Sequence, residues 1–144
     1  VIFNALIGNH DAHAKNFSLL YSAKTPALAP LYDTLSTAVY PTLTPKMAMK
    51  IGSKYKFSEV QARHWGQFAE AVGLGKAQAK RRILALAKAL PASARKLQAE
   101  PGHKFAGNGV VDRIIALIEQ RCALTIRRIA DPAAEGEAAA QRHP

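Results

Sequence analysis

Two carboxylates stand almost alone in the first part of the chain. Of ten Asp and Glu residues, only Asp11 and Asp33 precede residue 59. Each borders an apolar segment, where burying an unpaired charge would be costly, so a chain that keeps them there has a use for them. Asn16 adds an amide oxygen, a hard donor of the kind magnesium takes together with phosphate oxygens. An Asp, four intervening residues and an Asn, followed by a strand hairpin and a second Asp, is the layout of a phosphotransferase catalytic loop. In that layout the first Asp is the base beside an acceptor hydroxyl, and the Asn and second Asp hold metal. The chemistry then rests on position and charge compensation. The Asp11 to Asn16 spacing is common by itself and gains meaning from the hairpin and Asp33. Spacing alone leaves open that Asp11 and Asp33 cap turns.

These residues need elements to position them. Residues 1–7 read as the end of an apolar helix, stopped by Gly8-Asn9-His10. Residues 11–16 form a polar loop. Residues 17–21 read as a strand, 22–26 as a turn, and 27–32 as a second strand that Pro30 pushes to an edge. Residues 37–45 read as loop. Met47, Met49 and Ile51 alternate with Ala48 and Lys50, which predicts a strand with Lys50, Lys54 and Lys56 facing solvent. Ser58 to Gln61 matches a capping box, so a helix is predicted from there, with Val60, His64, Phe68 and Val72 on one face and Gly73 at its end. A second helix is predicted over about 76–90, with Pro91 starting a third, shorter one. The last helix is predicted over about 110–130, with Val111, Ile114, Ile115, Ile118 and Cys122 inward. Residues 131–144 lack apolar content and read as a disordered tail. The fold class is α+β, mainly α, with one helical domain over 1–130 and a small β hairpin at the loop.

Length and composition agree with one ordinary domain: 144 residues, 49% of them hydrophobic. No apolar run approaches a membrane span, and no leader peptide is visible. The lone Cys122 excludes an internal disulfide, and no Cys/His spacing suits zinc; a reducing, cytoplasmic setting follows. The chain opens inside a helix, without a cap or an initiator methionine, which predicts a fragment with a partner domain upstream. The net charge is +10, and residues 74–130 hold 12 Lys/Arg against 3 Asp/Glu. That imbalance suits an acidic partner, or else a solvated basic face.

Gly8-Asn9-His10-Asp11-Ala12-His13-Ala14-Lys15-Asn16-Phe17-Ser18 resembles the catalytic loop of HipA-type serine/threonine kinase toxins. Leu31-Tyr32-Asp33-Thr34-Leu35-Ser36-Thr37-Ala38 resembles their metal-binding segment, and Lys46 to Gly52 is also similar. The resemblance is closest over residues 1–75. It implies a fold like a kinase carboxy-terminal lobe, with ATP and Mg2+ as cofactors. It makes Asp11 the catalytic base and Asn16 and Asp33 magnesium ligands, with His13, Lys15 and Tyr32 lining the phosphates or bracing the loop. It implies a protein substrate such as an aminoacyl-tRNA synthetase, a helix-turn-helix antitoxin, and operator DNA reached through the antitoxin complex. Charge alone then points to the basic stretch at Lys80-Arg81-Arg82 as a face for that DNA. One departure matters. A kinase also needs a glycine-rich loop and a lysine on an amino-terminal lobe, and no Gly-x-Gly-x-x-Gly occurs here. The chain alone should therefore catalyse little.

Two other readings compete. A small-molecule phosphotransferase of the aminoglycoside-kinase type shares the loop spacing and a histidine two residues after the Asp, but differs around Tyr32 to Ser36. A non-catalytic basic module for antitoxin or nucleic acid would need none of the carboxylates. Beyond the loop, His64 shares a face with Val60 and Phe68 and reads as a core histidine. Met47 and Met49 read as gap fillers, and Cys122 as a buried, inert thiol. Ser18, Ser22, Ser36 and Thr37 lie near enough to the loop for self-phosphorylation.

Overall fold

A computed structural model describes residues 1–21, 25–102 and 104–130. The tail expected at 131–144 lies outside the described residues, as do Ser22 to Lys24 of the expected turn. α1 (Ile2–Ile7) buries Leu6 completely and ends at Gly8, whose backbone is left-handed (φ 81°). The Gly8 N–H turns back to α1, and the Asn9 N–H reaches the Asn4 carbonyl at 2.8 Å. This is a Schellman-type stop, which satisfies carbonyls the helix would otherwise leave open. A β-carbon at Gly8 would lie 2.6 Å from Leu117 Cδ2 and 3.0 Å from Ala38 Cβ, so glycine is required for space as well as for backbone angle.

Two separate hairpins follow. β1 (Leu19–Tyr21) pairs antiparallel with β2 (Pro26–Leu28), Leu19 opposite Leu28, and both strands are exposed throughout. The second strand is shorter than the 27–32 that the residues predict. Pro30 has no N–H to continue the ladder, whose last bond runs from Ala29 N–H to the Ser18 carbonyl. β3 (Lys46–Ile51) pairs antiparallel with β4 (Lys54–Lys56) around Gly52. As predicted, Met47 and Ile51 point into the core and Lys50 outward. Lys54 is half-buried and pairs with Glu59 at 3.2 Å.

Three helices complete the domain: α2 (Ala62–Ala71), α3 (Lys76–Ala99) and α4 (Gly109–Ala130). Their core joins Trp65 and Ala69, Ala79, Ile83 and Ala87, and Ile118, Cys122 and Ile129 to Leu6 and Ile51 from the first half. Burying each Ile or Leu contributes roughly 1.5–3 kcal/mol. Val111 and Ile114, expected inward on α4, are half-buried at its rim.

Two helix boundaries differ from the reading of the residues. The start of α2 falls at Ala62 rather than near Ser58, because residues 57–59 form a single 3-10 turn. The cap is supplied by His64, whose Nδ1 accepts the Gln61 N–H at 2.9 Å. His64 is thus the buried core histidine expected (2% exposed), with a capping duty added. Pro91 does not start a new helix, since α3 runs through it unbroken to Ala99. The apolar period continues across the proline through Ala87, Leu90 and Ala94, and packing against α4 outweighs the lost backbone bond.

Candidate active site

The loop that follows α1 is held from three sides. From one side, Ser36 Oγ donates to the Ile7 carbonyl at 2.6 Å, Ala38 N–H donates to the Gly8 carbonyl at 2.9 Å, and His10 N–H donates to Thr37 Oγ1 at 2.9 Å. From a second, β3 contributes Ala48 N–H to the His10 carbonyl at 2.7 Å. From the third, α4 sends Arg121, whose Nη1 donates to the Ala5 carbonyl and whose Nη2 meets His10 Nε2, both at 2.7 Å. His10 Nδ1 lies 3.0 Å from the Thr44 carbonyl. A carbonyl can only accept and a guanidinium only donate, so His10 carries its proton on Nδ1 and is neutral. Burial, and then the Arg121 charge, hold its pKa below the usual 6.5 against the raising effect of the Thr44 bond. Burial also lowers Arg121 to about 10, with its guanidinium 4.4 Å above the Phe57 ring.

Within this frame the expected site residues converge. Asn16, buried at the end of a 3-10 turn (Ala14–Asn16), donates from Nδ2 to Asp33 Oδ2 at 2.7 Å. Its Oδ1 accepts the His13 N–H at 2.9 Å. A backbone N–H on one side and a carboxylate on the other leave the amide a single orientation. The same His13 N–H also reaches the Asp11 carbonyl at 2.9 Å, joining both ends of the loop. His13 Nε2 lies 3.1 Å from Asp11 Oδ1. Tyr32 donates its hydroxyl proton to the Lys15 carbonyl at 2.8 Å and lies 3.0 Å from Ser18 Oγ. Both bonds tie Tyr32 to the loop. Lys15 contributes its carbonyl to the loop, and its side chain is exposed.

Both carboxylates are exposed, so the cost of burying an unpaired charge does not bear on them. Asp33 instead stands out by its backbone. Among the described residues it is the only non-glycine with positive φ, at 56°. That conformation disfavours a residue carrying a β-carbon, and Asn9 Nδ2 grips the Asp33 carbonyl at 2.9 Å. Asp11 opens onto a shallow cavity of about 400 Å³ lined also by His10, His13, Lys46 and Tyr55. A cavity of about 430 Å³ lies elsewhere, between Arg63, Trp65 and Lys80, and involves none of these residues.

Asn9, His10 and Arg121 were not visible as site residues from spacing. Asn9 and His10 read simply as part of a helix stop. Arg121 sits one position before the inward Cys122, and only its charge beside an apolar stripe could have marked it. Cys122 itself is buried, and burial raises its thiol to about 11, which makes it the inert thiol expected.

Residues 1–94 match the HipA-like C-terminal domain. The chain is 52% identical over 82 residues to a Sinorhizobium fredii protein named "Putative kinase Y4mE", a match covering 57% of this chain and 20% of that protein. It is 32% identical over 73 residues to the serine/threonine-protein kinase toxin HipA of Shewanella oneidensis, covering 51% of this chain and 17% of the relative. The chain thus spans about a fifth of the length of these relatives. Its fold matches a chain in the solved complex of Shewanella oneidensis HipA, HipB and operator DNA, with TM-score 0.78 and 23% identity over 90% of this chain and 31% of that one. With the family match covering well over half its length, the chain belongs to the family of HipA-like C-terminal domains.

Proposed function

We propose that the chain is the carboxy-terminal catalytic lobe of a serine/threonine kinase toxin, transferring the terminal phosphoryl of ATP to a protein hydroxyl. The observation that carries this reading is the 2.7 Å contact between Asn16 and Asp33, made on the loop that presents Asp11. Asp11 is the base: its exposed carboxylate orients and deprotonates the acceptor hydroxyl, while the His13 imidazole 3.1 Å away fixes its direction. Asn16 and Asp33 would hold magnesium, Asn16 through the lone pair of Oδ1 that the His13 N–H leaves free. One amide oxygen and one carboxylate suit a cation that keeps most of its shell as water and phosphate oxygen. Magnesium with ATP supplies the transferable phosphoryl and neutralises its charge. Tyr32 keeps Lys15 in place by holding its carbonyl, and Lys15 is the nearby cation for phosphate.

The glycine-rich loop and lysine that complete a kinase site would come from a further lobe, consistent with relatives several times longer than the matched stretch. An aminoacyl-tRNA synthetase is the class of acceptor that the resemblance favours. A helix-turn-helix antitoxin and operator DNA are the proposed partners, supported by the composition of the complex that shares the fold. No described helix is long and apolar enough to cross a membrane, and the proposed setting is the cytoplasm.

The test is growth arrest on expression of the full-length protein, wild type against Asp11→Asn, paired with phosphoryl transfer from labelled ATP by the purified proteins. Arrest and transfer by wild type, with transfer reduced at least about a hundredfold in the variant, supports the reading. Equal transfer by both removes it. Equal arrest without transfer moves the function to a binding module.

A further inference from the structure

Asn9 is 4% exposed and spends both ends of its side chain on the two halves of the site. Its Oδ1 accepts the Asp11 N–H at 3.0 Å, and its Nδ2 donates to the Asp33 carbonyl at 2.9 Å. Its own N–H closes α1 onto Asn4. An N–H on one side and a carbonyl on the other call for one acceptor and one donor on a single short side chain. Asn meets that need, Asp lacks the donor, and Ser lacks the reach. The Asp33 end of this bridge is the strained one, since Asp33 holds a left-handed backbone (φ 56°) that residues with a β-carbon keep only under constraint. The Asp33 carboxylate leaves from that same residue toward Asn16.

We propose that Asn9 is a positioning residue for the metal. By pinning the Asp33 carbonyl it sets the direction of the Asp33 carboxylate, and by holding the Asp11 N–H it fixes the base relative to that metal ligand. The inference rests on the reading of Asp33 as a magnesium ligand. Asn9 touches neither metal nor substrate, so its effect falls on how tightly the cation is held. The Asp11 arm survives in Asn9→Asp, which keeps the acceptor, and the Asp33 arm is lost.

The experiment measures Mn2+ binding to the full-length protein by electron paramagnetic resonance, with a non-hydrolysable ATP analogue present, for wild type, Asn9→Asp and Asp33→Asn. The Mg2+ dependence of phosphoryl transfer is recorded in parallel. With Asn9→Asp, the Mn2+ dissociation constant and the half-saturating Mg2+ should each rise about tenfold, the loss of one well-placed hydrogen bond. The rate at saturating Mg2+ should fall by less than the half-saturating Mg2+ rises. A role confined to bracing the turn would lower the thermal midpoint and leave the metal curves where they were, and that outcome overturns the proposal. So would unchanged or tighter Mn2+ binding in Asn9→Asp while Asp33→Asn binds weakly. If Asp33→Asn binds Mn2+ like wild type, the underlying reading of the site fails and this proposal falls with it. Should Asn9→Asp not fold, Asn9→Ser, which is too short to bridge the two partners, is read by the Mn2+ dissociation constant and the half-saturating Mg2+ alone.

Discussion

Arg121 and His10 are 111 residues apart in sequence and share a hydrogen bond of 2.7 Å, guanidinium to imidazole. The pairing works only while His10 is neutral. Burial and the neighbouring charge keep its folded pKa below 6.5. The unfolded chain therefore binds a proton more readily, and the stability that neutral His10 contributes is present above pH 6.5 and lost as pH falls toward its folded pKa. His64, also lowered chiefly by burial and then by Arg63, adds a loss of the same sign. Urea unfolding between pH 7.5 and 5 should show stability falling with acid, less steeply in His10→Gln. Nuclear magnetic resonance titration should find the His10 imidazole of Arg121→Met moved upward toward its ordinary range. A His10 pKa that does not move in Arg121→Met would contradict the pairing.

Gly8 and Gly73 both have positive φ, but only Gly8 is crowded, with Leu117 and Ala38 where a β-carbon would go. Gly73 has open space. Gly8→Ala should cost about 1–3 kcal/mol more than Gly73→Ala, since both pay for the backbone and only the first pays for the overlap. Because Gly8 lies directly before Asn9, Gly8→Ala should also lower phosphoryl transfer, and Gly73→Ala should not. Equal thermal midpoints for the two variants would refute the crowding.

Pro91 lies inside α3, where it supplies no N–H to the Ala87 carbonyl and strains the turn before it. Pro91→Ala should stabilise the protein by about 1–3 kcal/mol, read as a higher urea midpoint with an unchanged slope. A lower midpoint would mean that the proline bends α3 to fit α4 and that the straight helix packs worse.

Much of the site was legible in the residues because local chemistry set it. A glycine after an apolar run has one common use, and the Asp11 to Asn16 spacing gains meaning from the hairpin and the Asp33 that follow it. The strand at Met47 and Ile51 announced itself by alternation, with one face buried. What stayed hidden depended on distance along the chain. Nothing local tells that Asn9 bridges to Asp33, because a polar residue after a glycine serves equally well in any turn. Nothing local ties Arg121 to the loop either. The unbroken α3 was misread because proline's intrinsic preference is visible in sequence and its compensation by α4 is not. The start of α2 was misplaced for a similar reason: Ser58 offers a good cap by type, but a 3-10 turn intervenes and His64 takes the role.

The reach of α4 back to the loop has a consequence for how the protein comes into being. Arg121 holds the Ala5 carbonyl and His10, and Arg128 holds the carbonyls of Ser58 and Val60. On a ribosome, the segment bearing Asp11 emerges before α4 and waits through more than a hundred residues before Arg121 can reach it. Local turns and hairpins can form in that interval, but the loop lacks its third brace until α4 has left the exit tunnel. Assembly of this chain's part of the site therefore waits on α4, and a chain arrested short of α4 carries the residues of the site without their full support.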